Sequence, residues 1–449
     1  RLAFLGGLAS LLAASTWWGL HLLARYTGFP LFTLDLAVAP IWAHSFLMLF
    51  AVFPTLFFGF LFTVFPRWMN GPLVPRWGYV GAPLLLTAAT VCWLVGIHVG
   101  LPLQVAATAL ATAALVIALV AFLRVLIDAE QVVSHAIVTS AAFAIGIVCV
   151  AGFGYGLWRA SDFVLHFAVR AALWGFLLPV FFAVCHRMIP FFSQNVVPGY
   201  VAWRPLWVLV GVVSLVYLRL LAGTAGALWL LPVADAALFV LTALCAWHWT
   251  SFKARGNPLL WTLYAGYVWL PIAVLLQTVR DASFLVTGEW ALGRAPVHAL
   301  GMGFFGGMLV AMVTRVTMGH SGRPLRMDRL TLACFLLLQL GTVSRVFSEV
   351  VTAPAAIQVT LLGSYDAMQE SGQKIEFQEL RELALARPDR MRVRHVRSDG
   401  VESRIVFDGK TISVLDGEAN VYAQAPQPSA LDDAIVYFVR DLGMRLPLA

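Results

Sequence analysis

Long apolar blocks fill the first 350 or so positions of the chain, each broken by a short polar interval. A run of about 18 or more apolar residues is long enough to cross the hydrocarbon core of a bilayer as a helix. Eleven such blocks recur, near residues 3–23, 41–65, 79–99, 103–126, 133–156, 163–189, 205–222, 226–250, 258–280, 295–317 and 329–350. The pattern predicts an all-α polytopic membrane bundle over residues 1–352. Beyond about Ala353 the period changes. Short alternating stretches such as Ile357–Leu361, Arg390–His395, Arg404–Phe407 and Thr411–Leu415 are separated by Ser371-Gly372, Asp399-Gly400, Asp408-Gly409 and Asp416-Gly417. Alternation between such dipeptides is a hairpin signal. With an amphipathic stretch over Ala430–Leu442, residues 355–449 read as a small soluble α+β module built on an antiparallel sheet.

Composition agrees with this division. Of 449 residues, 60% are hydrophobic and 12% charged, a balance that suits a lipid solvent. The net charge of +7 hides a split. Residues 1–354 carry 19 Lys and Arg against 9 Asp and Glu, and the remainder 11 against 14. Loops after even-numbered spans hold eleven basic residues, and those after odd-numbered spans hold five: Arg25, Arg159, Arg219, Arg280 and Arg294. The bias of Lys and Arg toward cytoplasmic loops therefore predicts a cytoplasmic N-terminus and a module outside the cytoplasm. Basic loops on such a protein contact anionic lipid, and no nucleic-acid motif accompanies them. The five cysteines lie singly in apolar segments and read as inert core residues.

Polar side chains inside spans are costly and point to function. The topology sorts the histidines into an outer layer (His21, His44, His98, His166, His298) and a cytoplasmic layer (His135, His186, His248, His320). His21, His98 and His248 sit at span edges and suit simple backbone bonding, whereas His135 stays open between the two readings. His395, in the module, reads as a surface residue. His44 and Met48 are four apart, as are His298 and Met302 at the same depth. Imidazole and thioether both ligate haem iron and copper. His298 and His320 bracket one glycine-rich helix, and Gly301, Gly303, Gly306 and Gly307 let a neighbouring helix or a flat cofactor approach it. In the sixth span His166 and Arg170 share a face. Arg170 needs an anion, either Asp235 of the eighth span or a haem propionate. His186 and Arg187 precede Pro190, which is expected to end that helix. His166 and His186 are about 30 Å apart along one helix, so they serve separate sites. No Walker, dinucleotide, G-x-S-x-G or H-E-x-x-H motif is present, and no paired intramembrane carboxylate is apparent.

The stretch H-A-L-G-M-G-F-F-G-G-M-L-V-A-M-V-T-R-V-T-M-G-H-S-G-R-P-L at His298–Leu325 resembles the signature of the NnrS family. So do H-S-F-L-M-L-F through P-R-W-M-N-G-P at His44–Pro72 and H-R-M-I-P-F-F-S at His186–Ser193. The resemblance implies a bacterial inner-membrane haem–copper protein of the nitric oxide response, with His44, His298, His320 and His186 among the family's polar positions. Many members carry H-A-H-E where this chain has Trp42-Ala43-His44-Ser45, which removes one histidine and one carboxylate from the set available to copper. S-G-Q-K-I-E-F, F-D-G-K-T-I-S-V and D-L-G-M-R-L-P-L-A in the tail resemble an uncharacterised periplasmic family related to half-barrel lipoprotein carriers.

The expected function is haem binding, with copper as a second metal, in nitric oxide response or nitrosative stress tolerance. His44 and His298, with Met48 and Met302, are the first choice for an outer metal site, and His166 and Arg170 lie nearby. His186 and His320 are candidates for an inner site. Two rivals stay open. One is a quinone-linked or nitric-oxide-handling oxidoreductase, and the other a small-solute transporter with helices broken at Pro54, Pro179 and Pro271.

Overall fold

A computed structural model describes residues 2–27, 36–288, 290–320, 326–351, 356–368, 374–386 and 390–426. The chain forms two units, residues 1–350 and 351–449.

The first unit contains eleven helices long and apolar enough to cross a membrane. They are α1 Leu2–Arg25, α2 Pro40–Met69, α3 Arg76–Val99, α4 Leu101–Ile127, α5 Ser134–Trp158 and α6 Asp162–Val196, followed by α7 Leu206–Thr224, α8 Leu230–Trp249, α9 Pro258–Thr287, α10 Ala295–Met318 and α11 Arg329–Val350. All eleven expected spans are present. Large apolar side chains such as Leu12, Val148 and Leu337 are more than half exposed, as a lipid-facing surface requires. The connections are short. Between α3 and α4 only Gly100 intervenes, at φ 146°, a conformation that side-chain-bearing residues rarely adopt.

α6 and α2 are the most buried spans, and α11 and α1 the least. Their contact is aromatic: Phe57 meets Phe181 at 4.8 Å and Phe176 at 6.4 Å between ring centroids. Lipid gives helices no hydrophobic reason to associate, so tight side-chain packing of this kind holds them together.

Three helices depart from regular α geometry. α2 contains a π-helical turn at Leu47–Val52, α6 one at Ala172–Leu177 and α10 one at Ala299–Gly306. These are the helices that carry His44, His166 and His298, and each π turn begins within a few residues of its histidine or, in α6, just past Arg170. Pro54 and Pro179 each lie two residues beyond a π turn. A proline there removes an N–H from the helical ladder, and a wider turn re-spaces the remaining bonds. In α10 the glycines serve instead. The helices therefore bulge near Pro54 and Pro179 rather than break, and α9 runs through Pro271 without interruption. α6 likewise continues through Pro190 to Val196, against the expectation that Pro190 ends it. Only the last turns follow, where one lost bond is tolerated.

The second unit is a six-stranded antiparallel meander: β1 Ala356–Met368, β2 Lys374–Ala386, β3 Arg390–Arg397, β4 Glu402–Phe407, β5 Thr411–Asp416 and β6 Val421–Pro426, paired in chain order. β1 and β6 are its two edges, so the sheet is open rather than closed into a barrel. Leu383, Met391, Val393, Phe407 and Ile412 form its buried cluster. The Asp-Gly turns act as expected. Asp408 accepts from the backbone N–H of Lys410 and Thr411 at 2.9 and 2.8 Å, and Asp416 from those of Glu418 and Ala419. Gly400 and Gly409 take positive φ, as these turns demand. The turn at Ser371-Gly372 and the helix expected over Ala430–Leu442 lie outside the described residues.

Candidate functional site

The histidines gather at two ends of the first unit, and the ends differ in how each imidazole is held. At the His44 end, His166 and His298 behave alike. Each donates Nδ1–H to a backbone carbonyl one turn back, His166 to Asp162 at 2.8 Å and His298 to Arg294 at 3.0 Å. A carbonyl can only accept, so Nδ1 carries the proton and Nε2 keeps its lone pair in the neutral ring. A carbonyl on the distal nitrogen is also the usual way of orienting a ligating histidine.

His44 is held differently. Its ring stacks on Trp18 of α1 at 4.2 Å and 20°, and its Nδ1 is buried without a hydrogen-bond partner. His44 lies near enough to His298 and Arg294 for their charges to interact. The two first-choice residues, on α2 and α10, thus lie in electrostatic range of each other. Trp42 meets the His166 ring edge-on at 4.6 Å. His166 therefore lies beside the position where many members of the resembling family carry a further histidine. Met48 and Met302 fall inside π turns. Trp18 is the contact that pattern reading missed. Its signal was the Trp17-Trp18 pair one turn before His21, whose ring stacks on both.

The glycines of α10 divide into two groups. A Cβ on Gly303 collides with the Trp269 ring, and Gly307 faces the Gly266 backbone. Both admit α9, so here the close neighbour is a helix. Gly301, in the π turn just past His298, has open space at its Cβ position.

The start of α10 is braced by α11. Glu349 accepts the Arg294 N–H at 3.1 Å and pairs with Arg345. The preceding turn puts both Leu292 and Gly293 at positive φ, and a Cβ on Gly293 collides with the Glu349 carboxylate. The carbonyl that orients His298 is thereby fixed from outside its own helix.

Arg170 does not pair with Asp235. Asp235 binds Arg219, Oδ1 to Nε at 2.6 Å, and Arg219 also binds Asp281 through Nη2 at 3.1 Å. An intramembrane carboxylate pair, unseen in the sequence, is thus assembled from α8 and α9. Arg219 and Arg280, counted above among loop residues, lie within α7 and α9. Arg170 is exposed, within electrostatic range of Arg219, Arg280 and Asp281, and forms no ion pair among the described residues. Arg280 lies over the Trp290 ring at 4.7 Å with its Nε buried and unpartnered. Two guanidinium groups with unspent donors therefore stand close together.

At the other end His186 pairs with His135 of α5, Nδ1 to Nε2 at 3.0 Å. His186 Nε2 donates to the Pro205 carbonyl at 3.1 Å. With both rings neutral, His135 donates to His186 and neither nitrogen of His186 is free. The side chain of His320 lies outside the described residues, although its backbone ends the helix Gly307–His320. His248 stacks on Trp203 at 4.1 Å, and His98 is exposed. In the second unit His395 lies 3.2 Å from Glu379. Among the described residues no group of three His, Cys, Asp or Glu is placed to hold a metal ion.

The fold and the first histidine layer define a polytopic helical membrane protein with imidazoles held between π-bulged helices. Residues 1–365 match the NnrS protein family, and the chain belongs to it. It is accordingly a bacterial inner-membrane protein of the nitric oxide response. Residues 343–449 match a family described as a predicted periplasmic protein, DUF2092, so the two matches overlap across the end of α11. A comparison with curated proteins finds no match.

Proposed function

We propose that the membrane unit binds haem in the His44 layer and places it to take up nitric oxide. The single observation that carries this reading is the held state of His298: Nδ1–H on the Arg294 carbonyl and the Nε2 lone pair free, with His44 of α2 in electrostatic range. The surroundings fit the group. Gly301 leaves open space one turn away, and the buried Nδ1 of His44 lacks a partner. Arg170 and Arg280 offer donors to the propionates, where charge-assisted bonds are strongest. Bound haem supplies an iron centre able to ligate nitric oxide. His298, braced through Arg294 and Glu349, would hold the iron by its free Nε2, and His44, which lacks an oriented Nδ1 bond, would be the less firmly fixed ring. The Trp18 face and the aromatic wall exclude water.

Copper fits less well. His44 and His298 have no third His, Cys, Asp or Glu placed with them to hold a metal ion among the described residues. No step is assigned to it. The His135–His186 pair favours an inner structural or proton-linked role for His186 over ligation. The charge rule supports a cytoplasmic N-terminus with the second unit in the periplasm.

An optical spectrum of the detergent-purified full chain, expressed with ample haem, tests the reading. A Soret band is expected, and its absence overturns it. His298→Ala is expected to lose the band and His98→Ala to keep it.

A further inference from the structure

The ion cluster joining α7, α8 and α9 has no part in haem ligation. Arg219 is 6% exposed, Asp235 0% and Asp281 3%, and the guanidinium lies 4.0 Å over the Trp174 ring. The two acids are not equivalent. Asp281 spends both oxygens: Oδ2 on Arg219 at 3.1 Å and Oδ1 on the Gln277 amide at 2.8 Å. Asp235 gives Oδ1 to Arg219 at 2.6 Å, but its Oδ2 is buried with no donor. The two carboxyls are neighbours on one guanidinium, at 2.6 and 3.1 Å from its nitrogens. A carboxylate oxygen without a donor is expensive in the interior of a membrane protein. Two acids facing one guanidinium do not both readily keep their charge.

We propose that Asp235–Arg219–Asp281 is a proton-binding site inside the membrane. The proton sits on Asp235 Oδ2 and the negative charge on Asp281. Loading forms one O–H bond with a proton taken from water, and no electron moves. The new hydroxyl turns the orphan acceptor into a donor toward Asp281. The other charged groups in electrostatic range of the cluster are Arg170 of α6 and Arg280 of α9, each acting on Arg219 and Asp281. Tyr217 of α7 gives its hydroxyl to the Gly175 carbonyl at 3.3 Å and stands apart. Arg170 and Arg280 set the occupancy. While they are bare, their charge opposes the proton. A carboxylate-bearing ligand on them, such as the two propionates of a haem, removes that opposition. Anion binding and proton uptake are therefore linked at this site.

Infrared difference spectra of the haem-free full chain, recorded across pH in water and heavy water, test the inference independently of the haem reading. The expected signal is the carbonyl band of a buried protonated carboxyl. It should persist at pH values where an ordinary aspartate, near roughly 3.9, is ionised, and it should move when isotope-labelled aspartate is supplied. Absence of an aspartate band overturns the proposal without any variant being needed. Asp235→Asn carries an amide where the protonated acid stands, so it is expected to remain folded by size-exclusion chromatography and to lose the band. Retention of the band in that variant overturns the assignment. In the double variant Arg170→Gln with Arg280→Gln the band is expected to persist at least tenfold further down in proton concentration than in the unsubstituted chain. An unchanged pH range overturns the linkage.

Discussion

His298 and His186 are both histidines of buried membrane helices, yet the structure uses them in opposite ways. His298 gives one nitrogen to a backbone carbonyl and keeps the other free. His186 gives one to a carbonyl and the other to His135. The two differ in burial, His186 being 1% exposed and His298 only partly buried, and above all in the number of partners that neighbouring helices supply. A buried imidazole with one partner is a candidate ligand, and one with two is a satisfied hydrogen-bonding element. The free nitrogen also lies where the helices bulge, and the satisfied one lies in regular helix.

The sharpest way to break this contrast is to delete each ring. His298→Ala is expected to abolish haem retention, read as loss of the Soret band per mole of protein, whereas His186→Ala keeps most of it. Equal loss in both variants removes the distinction. Next in size is the ion cluster. Asp281→Ala leaves the Arg219 charge without its fully bonded partner, and breaking a buried pair in this way costs about 3–5 kcal/mol. Thermal unfolding followed by size-exclusion chromatography should show the drop. Asp235→Asn should fall well short of it, because the amide still accepts from Arg219.

A smaller effect is expected at the other end. His135→Ala strands the His186 Nδ1 as a buried acceptor, at a cost of about 1–3 kcal/mol. Bound haem should be unchanged. Loss of haem in this variant joins the two layers and overturns their separation.

The second unit provides a water-exposed control for polar pairing. Glu402 accepts from Arg404 and then Arg394, and these bonds hold its carboxyl down at about 2. A depressed acid stabilises the fold above its ordinary value, near roughly 4.3, and that contribution fades as pH falls toward the folded value. The protection factors of the β3 and β4 amides, with the intrinsic pH dependence of exchange divided out, should therefore fall below about pH 4.3, and Glu402→Gln should flatten this dependence. The effect is the smallest of the four, since exposed ion pairs are screened by solvent and salt.

Much of the architecture was legible before the structure. Lipid demands one long apolar block per span, and short β strands between Asp-Gly turns leave an equally direct mark. His44 and His298 could be placed at one depth by counting along helices. What escaped were facts about partners. The reading of Arg170 against Asp235 was reasonable by depth, but Arg219 lies closer to Asp235 in the folded bundle. Pro190 looked like a terminator, although near a helix end one missing N–H is easily borne. The glycines of α10 gave two answers at once: Gly303 and Gly307 admit α9, and Gly301 stands open.

The sequence by itself determined that eleven helices cross a membrane and that an antiparallel sheet follows. These are one-dimensional properties: length and period. Only the tertiary structure decided which polar atoms are spent. His186 meets His135, Asp235 meets Arg219, and the Nε2 of His298 is left over, because those pairings join residues on different helices. No local pattern encodes them. In a membrane, where water cannot complete a missing bond, that remainder separates a structural histidine from one available for chemistry.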